Sequence, residues 1–454
     1  MAKYKNYDYS QMVMLPISLE DQLMPGTLEF AIHTLVETRM DLSRFDDRYA
    51  NDETGRSAYD PKILLKIVLF GYSRGMISSR RIERACQENV TFMALSCGQC
   101  PDHSTIAAFV SSMKDEIMPL FRDVLLVCEE MDLLGGTFFA LDGLRLPSNA
   151  SKQWSGTRSE LERKKKRIES RVKELLCEHT EEDKRDEGSP KAGASTGGPD
   201  RQRQIERLQK KADRIGRWLE QNGAKVGAKG KEITSNITDN ESAKMKAAGG
   251  YIQGYNGQAL VDSKHQVIIH GEALGESQDY EHVPPMVEGA KQNMEAIGHS
   301  EDYFRGAILT ADTNYHSRTN IQKCEQEGLD AYIPDRFFRR RDPRYKSQRR
   351  YWPKRKKRFG LEAFYYDEST DRYVCPAGNY LKLKVRRVKN TGNFYRQYSA
   401  DETDCGGCTL RSRCLGTKSS RRRWLNVPNG TEGKNYSKQM VEKIDSERGR
   451  QIYP

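Results

Sequence analysis

Two amphipathic runs separated by a flexible connector, GSPKAGASTGGPD, interrupt the strand patterns in the middle of this 454-residue chain. Ser159 and Glu162 have the spacing of a helix capping box at the start of the first run. Apolar residues recur three, four or seven positions apart in both runs: Leu161, Ile168, Val172, Leu175, then Ile205, Leu208, Ala212, Ile215, Leu219. The pattern predicts an antiparallel helical hairpin with a coiled-coil seam, inserted at residues 159–221.

The outer faces of this hairpin are basic at Lys164 to Arg167 and at Lys210 and Lys211. Such runs indicate either a solvated helix face or a contact with DNA, and the pattern leaves both open. Over the whole chain, Lys and Arg number 75 against 64 Asp and Glu, a net charge of +11 with a pI near 9.0. The excess favours a polyanionic partner such as nucleic acid over a merely soluble basic protein, but does not decide between them.

The hairpin interrupts a series of strands that includes two aspartates. The run TFFALDGLRL predicts a strand around Asp142, and its apolar neighbours predict a carboxylate beside an apolar sheet rather than on a solvated face. Strands at 251–262 and 266–273, a helix at 282–297, a strand leading to Asp312, a helix and a short strand follow. This order predicts an α/β domain with a mixed sheet over residues 131–335.

Residues 1–130 carry helical patterns. Pro61 marks the start of one helix, Ser79 opens a second and Asp102 caps a third. The residue pattern by itself favours an ordinary helical bundle, although short helices with tight turns also build helix-turn-helix readers of DNA.

The stretch 336–360 combines cations with aromatic residues. Cations suit phosphates and aromatic rings suit unpaired bases, so we predict a nucleic-acid groove rather than a disordered basic tail. The candidate DNA-binding residues are Arg339, Arg340, Arg341, Arg344, Arg349, Arg350, Lys354 and Arg355.

Four of the ten cysteines cluster late in the chain, within residues 361–430. Cys375 begins a CPAGNY turn, and Cys405, Cys408 and Cys414 follow in CGGCTLRSRC. Four thiols with a C-x₂-C pair suit a tetrahedral zinc site in a zinc-ribbon-like segment, the alternative being four unrelated free thiols.

The chain has no apolar run near the roughly 20 residues needed to span a bilayer. Its N-terminus is polar and lacks the apolar core of a secretory signal. We therefore expect a cytoplasmic protein with no membrane partner, in which a disulfide framework is not expected.

Asp142 and Asp312 lie on separate strands of one predicted sheet. Neighbouring strands would place the two carboxylates close together, and a divalent cation relieves the repulsion of paired acids. Such ions support phosphodiester chemistry. Strand-end aspartates are also common as caps and turn residues.

Five segments resemble DDE transposases of bacterial insertion sequences, in the family's order. PDHSTIAAF resembles a signature of their InsH-like N-terminal domain, and ALDGLRLPSNASK resembles their first-aspartate strand. GGYIQGYNGQALVDSKHQVIIHGEA and ESQDYEHVPPM resemble the next two strands and the approach to the following helix. TADTNYHS resembles the second-aspartate motif. The resemblance implies a helical N-terminal domain followed by a ribonuclease H-like domain.

The resemblance also implies a mechanism and partners. Asp142 and Asp312 would hold Mg²⁺ or Mn²⁺ during cleavage and transfer of double-stranded DNA, at element ends and target, by a homo-oligomer associated with the nucleoid. The family's third acid is a Glu whose lead-in resembles residues 431–454. Glu447 does not match that position, so the third acid stays unassigned and we expect it beyond Pro454. Two alternatives remain: a catalytically defective DNA-binding remnant, or a metal-dependent nuclease unrelated to transposition.

Overall fold

The computed structural model describes residues 18–48, 57–186, 198–227, 230–247, 249–348, 358–390, 393–415, 419–428 and 436–453. The chain divides into two compact units, Met1–Ala311 with Lys323–Ala331, and Asp312–Gln322 with Tyr332–Pro454. Among the described helices, none combines the length and the apolar character needed to cross a membrane.

Helices and β-sheets make up both units, which confirms the expected mixture of α and β structure. The helices are α1 Leu28–Thr38, α2 Pro61–Ser73, α3 Ser79–Glu88, α4 Val90–Leu95, α5 His103–Ser112, α6 Ile117–Glu130, α7 Arg158–Asp186, α8 Gly198–Gln221, α9 Val283–Ala296, α10 Arg318–Gln326, α11 Phe338–Arg341, α12 Glu402–Gly406, α13 Arg411–Cys414, α14 Tyr436–Asp445 and α15 Glu447–Ile452. The strands are β1 Phe138–Pro147, β2 Ser155–Gly156, β3 Ser235–Asn236, β4 Ala243–Ala247, β5 Gly250–Asp262, β6 Ile268–Leu274, β7 Ile308–Ala311, β8 Asp330–Tyr332, β9 Tyr365–Asp367, β10 Arg372–Val374, β11 Tyr380–Asn390, β12 Asn393–Ala400 and β13 Trp424–Pro428.

Helices α1 to α6 enclose one apolar core, which includes Phe45, Ile67, Leu95 and Ile106. The helix starts agree with the sequence signals: α2 begins at Pro61 and α3 at Ser79. Asp102 caps α5, accepting a hydrogen bond from the Thr105 backbone N–H at 2.8 Å. A hydrogen bond from the Ser104 hydroxyl, together with the one from the Thr105 backbone N–H, lowers the pKa of Asp102 to about 2.

The larger sheet has the strand order β4-β5-β1-β7-β8, with β6 also paired to β5. Strand β1 is antiparallel to β5 and parallel to β7. Phe139 and Leu141 bury one face of β1. Helix α9 packs on β5 and β6 through an apolar side that includes Met286 and Ala290. The sheet core thus depends on the alternation of apolar residues in β1 and on the helical spacing in α9.

Helices α7 and α8 form the hairpin expected from the sequence. The buried seam residues include Leu161, Val172, Leu175, Ile205, Ala212, Ile215 and Leu219. The predicted capping box of Ser159 and Glu162 is wrong by two residues. Thr157 caps α7 instead: its N–H donates to Glu160 Oε2 at 2.8 Å, and the Glu160 N–H donates to Thr157 Oγ1 at 3.3 Å. Thr157 and Glu160 have the same spacing, and α7 begins one residue after Thr157.

The second unit contains an antiparallel sheet, β13-β12-β11-β10-β9, around the Cys-rich segment. Its core includes Phe364, Leu381, Tyr398 and Leu425. Asp371 turns between β9 and β10 at a φ of +48° and accepts a hydrogen bond from the Tyr398 hydroxyl at 2.6 Å. The sequence analysis did not predict this sheet.

Candidate active site and nucleic-acid interface

Asp142 lies in the middle of β1, opposite Ala259 of β5. Strand alternation places its side chain on the face opposite to the buried residues Phe139 and Leu141. The carboxylate is exposed, so the expectation of an apolar setting for Asp142 is wrong. Its Oδ1 accepts the Gly143 backbone N–H at 2.7 Å, which orients the group.

A buried polar network lies on the other face of β1 and β5. Asp279 accepts hydrogen bonds from Asn256 Nδ2 at 2.6 Å and from Gln258 Nε2 at 3.1 Å. Arg145 of β1 is ion-paired to the same carboxylate at 3.4 Å. His282 Nδ1 lies 3.4 Å from Asn256 Nδ2. A buried carboxylate needs such donors to offset its lost hydration, so the network fixes the side chains around it.

Gly143 links Asp142 to this network. It is the register partner of Gln258, and a Cβ at Gly143 would lie 2.3 Å from Gln258 Nε2 and 3.2 Å from Asn256 Oδ1. Both side chains are held by hydrogen bonds and cannot easily move aside. The residue next to the candidate catalytic acid is therefore restricted to glycine by packing.

Asp312 follows β7 directly and caps a 3₁₀ turn, Thr313–Tyr315. Its Oδ1 accepts the Asn314 backbone N–H at 2.7 Å, and its Oδ2 accepts Asn314 Nδ2 at 3.2 Å. The carboxylate is half-buried. Asn314 therefore sets the orientation of Asp312, as Gly143 does for Asp142.

The strands that carry the two acids are neighbours. Leu141 of β1 is the register partner of Ala311 of β7, and the two strands are parallel. Asp142 directly follows Leu141 in the sequence, and Asp312 directly follows Ala311. In parallel strands, equivalent positions lie at the same level of the sheet.

Helix α14 packs against the segment that follows Asp312. His316 Nε2 lies 2.8 Å from the Ser437 hydroxyl, and His316 Nδ1 lies 2.8 Å from the Ile333 carbonyl oxygen. The Lys443 ammonium lies 4.3 Å from the centre of the Tyr332 ring. The motif TADTNYHS thus supplies contacts to α14 in addition to an acid. Glu447, which the sequence analysis did not match to the third acid, is the exposed first residue of α15.

The arginines of the basic stretch have different partners. Arg341 is ion-paired to Asp335 and Asp445, each at 2.5 Å, and these carboxylates raise its pKa. Arg344 donates to Asp342 at 2.7 Å and to the carbonyl oxygens of Arg450 and Tyr453. Two of the candidate DNA-binding residues therefore hold α15 and the end of α14 in place.

Arg339 and Arg340 are exposed. The Arg339 guanidinium lies 5.3 Å from the Tyr345 ring centre, and that of Arg340 lies 5.1 Å from the Phe337 ring centre. These pairs of cation and ring are the components predicted for this stretch. The other four candidates, Arg349, Arg350, Lys354 and Arg355, lie outside the described residues.

The four late cysteines line one pocket, together with residues that include Phe359, Leu410 and Arg411. All four are reduced and partly buried. The Asn379 backbone N–H donates to Cys375 Sγ at 3.4 Å. Burial, with the neighbouring thiols of Cys405, Cys375 and Cys408, raises the pKa of Cys414. The sequence analysis had grouped these residues only by their spacing.

As they stand in the described part of the chain, no three His, Cys, Asp or Glu side chains are spaced to hold a metal ion. The donor sets nevertheless differ between the two candidate sites. The cysteine pocket offers four sulfur atoms, which suit zinc. Asp142 and Asp312 offer carboxylate oxygens, which suit Mg²⁺ or Mn²⁺.

Two family models match the chain. One is described as Transposase domain (DUF772) and covers residues 17–112, the helical N-terminal region. The other is described as Transposase DDE domain and covers residues 374–454, from the cysteine pocket through α14 and α15. Asp142 and Asp312 lie outside both ranges. Searches of curated proteins and of solved structures gave no match. The two transposase matches, at opposite ends of the chain, support a DDE transposase of an insertion sequence.

Proposed function

We propose that this protein binds the terminal repeats of its insertion sequence and catalyses cleavage and transfer of DNA strands, with Asp142 and Asp312 as metal-binding catalytic residues. The observation that carries this proposal is the register of β1 and β7, in which the residues just before the two acids are partners. The transposase matches make DNA the expected substrate.

A ribonuclease H-like fold is part of the proposal. The order β6-β5-β1-β7-β8 supports it, because an antiparallel set of strands adjoins a strand parallel to β1. In a sheet of this kind, an acid of the first strand and an acid that follows a later, parallel strand would come to one region of the sheet.

The chain's own residues prepare the carboxylates for this role. The Gly143 N–H orients Asp142, and the backbone and side chain of Asn314 orient Asp312. When bound, divalent cations would supply activation of the attacking oxygen and stabilisation of the leaving oxygen. Pre-oriented ligands reduce the reorganisation required during the reaction.

We further propose one zinc ion at Cys375, Cys405, Cys408 and Cys414. The convergence of four reduced thiols on one pocket supports it, as does the backbone N–H donated to Cys375 Sγ. Zinc binding would draw the sulfur atoms closer together and stabilise the turn that connects β10 and β11. Assembly of a homo-oligomer on the element ends completes the proposal.

Strand cleavage tests the catalytic assignment. The substrate is a duplex that carries the element's terminal repeats, assayed in Mg²⁺ and in Mn²⁺. We expect Asp142→Asn and Asp312→Asn each to lower the cleavage rate by about 100-fold or more while leaving DNA binding intact. The control is Asp302→Asn, which alters an exposed acid paired with Arg305 at 3.5 Å.

Three results would overturn the assignment. If the two variants cleave as fast as the wild type, other residues hold the metal. If the wild type binds the repeats but does not cleave them, the chain acts as a DNA-binding remnant. If cleavage needs both acids but ignores the terminal repeats, the chain is a nuclease of a different kind.

A further inference from the structure

The charges of the hairpin are unevenly distributed. We call residues 158–173 and 207–221 its basal half, since α7 begins and α8 ends there, and residues 174–206 its distal half. The basal half contains 13 basic and 5 acidic residues, whereas the distal half contains 5 basic and 9 acidic residues. A solvated helical hairpin has no need of such segregation, because mixed charges solubilise it equally well.

Cations of the basal half crowd around one aromatic ring. Trp154 lies between the Lys164 ammonium, 5.4 Å from the ring centre, and the Arg214 guanidinium, 4.9 Å away. Trp154 itself packs on the apolar cluster of Leu161 and Ile215, which fixes the ring. Burial and the neighbouring charge of Lys211 lower the pKa of Lys164. Like charges are thus held close together by packing.

In the part of the chain that the structure describes, three of these cations have no acidic partner. Some other basic side chains of the hairpin do pair with acids, as Arg158 does with Glu162 and Arg171 with Glu174. Within the described residues, Lys164, Lys211 and Arg214 form no ion pair, and the structure gives Lys164 and Arg214 only the neutral acceptors Gln153 O and Thr238 Oγ1. Lys211 and Arg214 are exposed to solvent. An external anion would relieve the repulsion among them.

We propose that the basal half of the hairpin, centred on Lys164, Lys211 and Arg214, is a docking surface for the phosphodiester backbone of duplex DNA. This inference rests on the proposed function and adds a second place where the chain holds its substrate. The surface presents clustered cations on rigid helices, so it contacts phosphates and positions the duplex without reading its sequence.

The test is the salt dependence of DNA binding by the full chain, measured by fluorescence anisotropy with a terminal-repeat duplex and a scrambled duplex. The basal variant carries Lys164→Ala, Lys211→Ala and Arg214→Ala. The matched control removes the same charge from the distal half with Lys184→Ala, Arg185→Ala and Arg203→Ala. A milder variant, Lys211→Gln with Arg214→Gln, changes only exposed side chains in case the first misfolds.

We expect the basal variant to reduce the slope of log K against log salt by roughly 2 to 3 on both duplexes, with about tenfold or greater loss of affinity. The milder variant should show a smaller change of the same sign, and the distal control none. Equal slopes for wild type and basal variant would overturn this inference while leaving the proposed function standing. A loss confined to the terminal-repeat duplex would also overturn it, since that indicates base recognition. Failure of the wild type to bind either duplex would instead contradict the proposed function.

Discussion

Arg339 and Arg341 are two residues apart in the same basic run, yet their surroundings differ. Arg341 is enclosed by the carboxylates of Asp335 and Asp445, whereas Arg339 is exposed beside the rings of Phe338 and Tyr345. A guanidinium that already holds two carboxylates has little capacity left for a phosphate. The run is therefore a mixture of structural arginines and candidate DNA contacts.

This difference predicts opposite effects of substitution. Arg339→Ala with Arg340→Ala should lower the salt slope of DNA binding by roughly 2, because two phosphate contacts are lost. Arg341→Ala should leave the slope unchanged but destabilise the second unit by about 1–2 kcal/mol, since two carboxylates lose their partner. Anisotropy titrations and thermal unfolding separate the two effects. A smaller slope for Arg341→Ala, with unchanged stability, would show that Arg341 binds DNA.

The buried network near Asp142 was missed because it is built from residues that rarely mark a site on their own. Asn256 and Gln258 share one face of β5 with the buried Leu260, and Tyr255 and Ala259 beside them are less buried. Polar residues at alternate positions on the buried face of a strand are the signal that could have revealed it. Their common partner, Asp279, is distant in the chain, and no local pattern connects it to them.

At the scale of elements, local patterns succeeded and long-range pairing did not. The hairpin was predicted from the apolar residues that recur at helical spacing within each helix, such as Leu161 in α7 and Ile215 in α8. Such a pattern is local, because it repeats within a single element. The sheet formed by β9 to β13 was missed, since β9 and β10 have only three residues each and the longer β11 and β12 combine apolar residues with many polar and basic ones. Its stability comes from pairing and from a small core around Tyr398, which only the fold brings together.

The cysteine pocket carries a prediction at the same scale. Purified protein should contain about one zinc per chain, and Cys405→Ser with Cys408→Ser should lose it, because two of four ligands are removed. Cys97→Ser with Cys100→Ser is the matched control, since that pair has the same C-x₂-C spacing and is exposed. Metal analysis by mass spectrometry measures the content. Equal zinc in all three proteins would reject the site.

For the whole molecule, the family assignment and the catalytic assignment have different foundations. The support for a transposase comes from residues 17–112 and 374–454, near the two ends of the chain. The catalytic assignment comes from the strands between them, where motif resemblance and strand register agree on Asp142 and Asp312. The sequence singled out these two acids because each lies in or directly after a run of β-forming residues, and because both segments resemble motifs of the family. It could not foresee the packing that restricts Gly143 or the contacts of His316 with α14.

The most direct test of the account is to locate bound Mn²⁺ in crystals of the full chain from its anomalous scattering. The account predicts a peak about 2.1 Å from carboxylate oxygens of both Asp142 and Asp312, absent from crystals of Asp142→Asn. A Mn²⁺ ion held by neither acid, or the two carboxylates on opposite faces of the sheet, would contradict it.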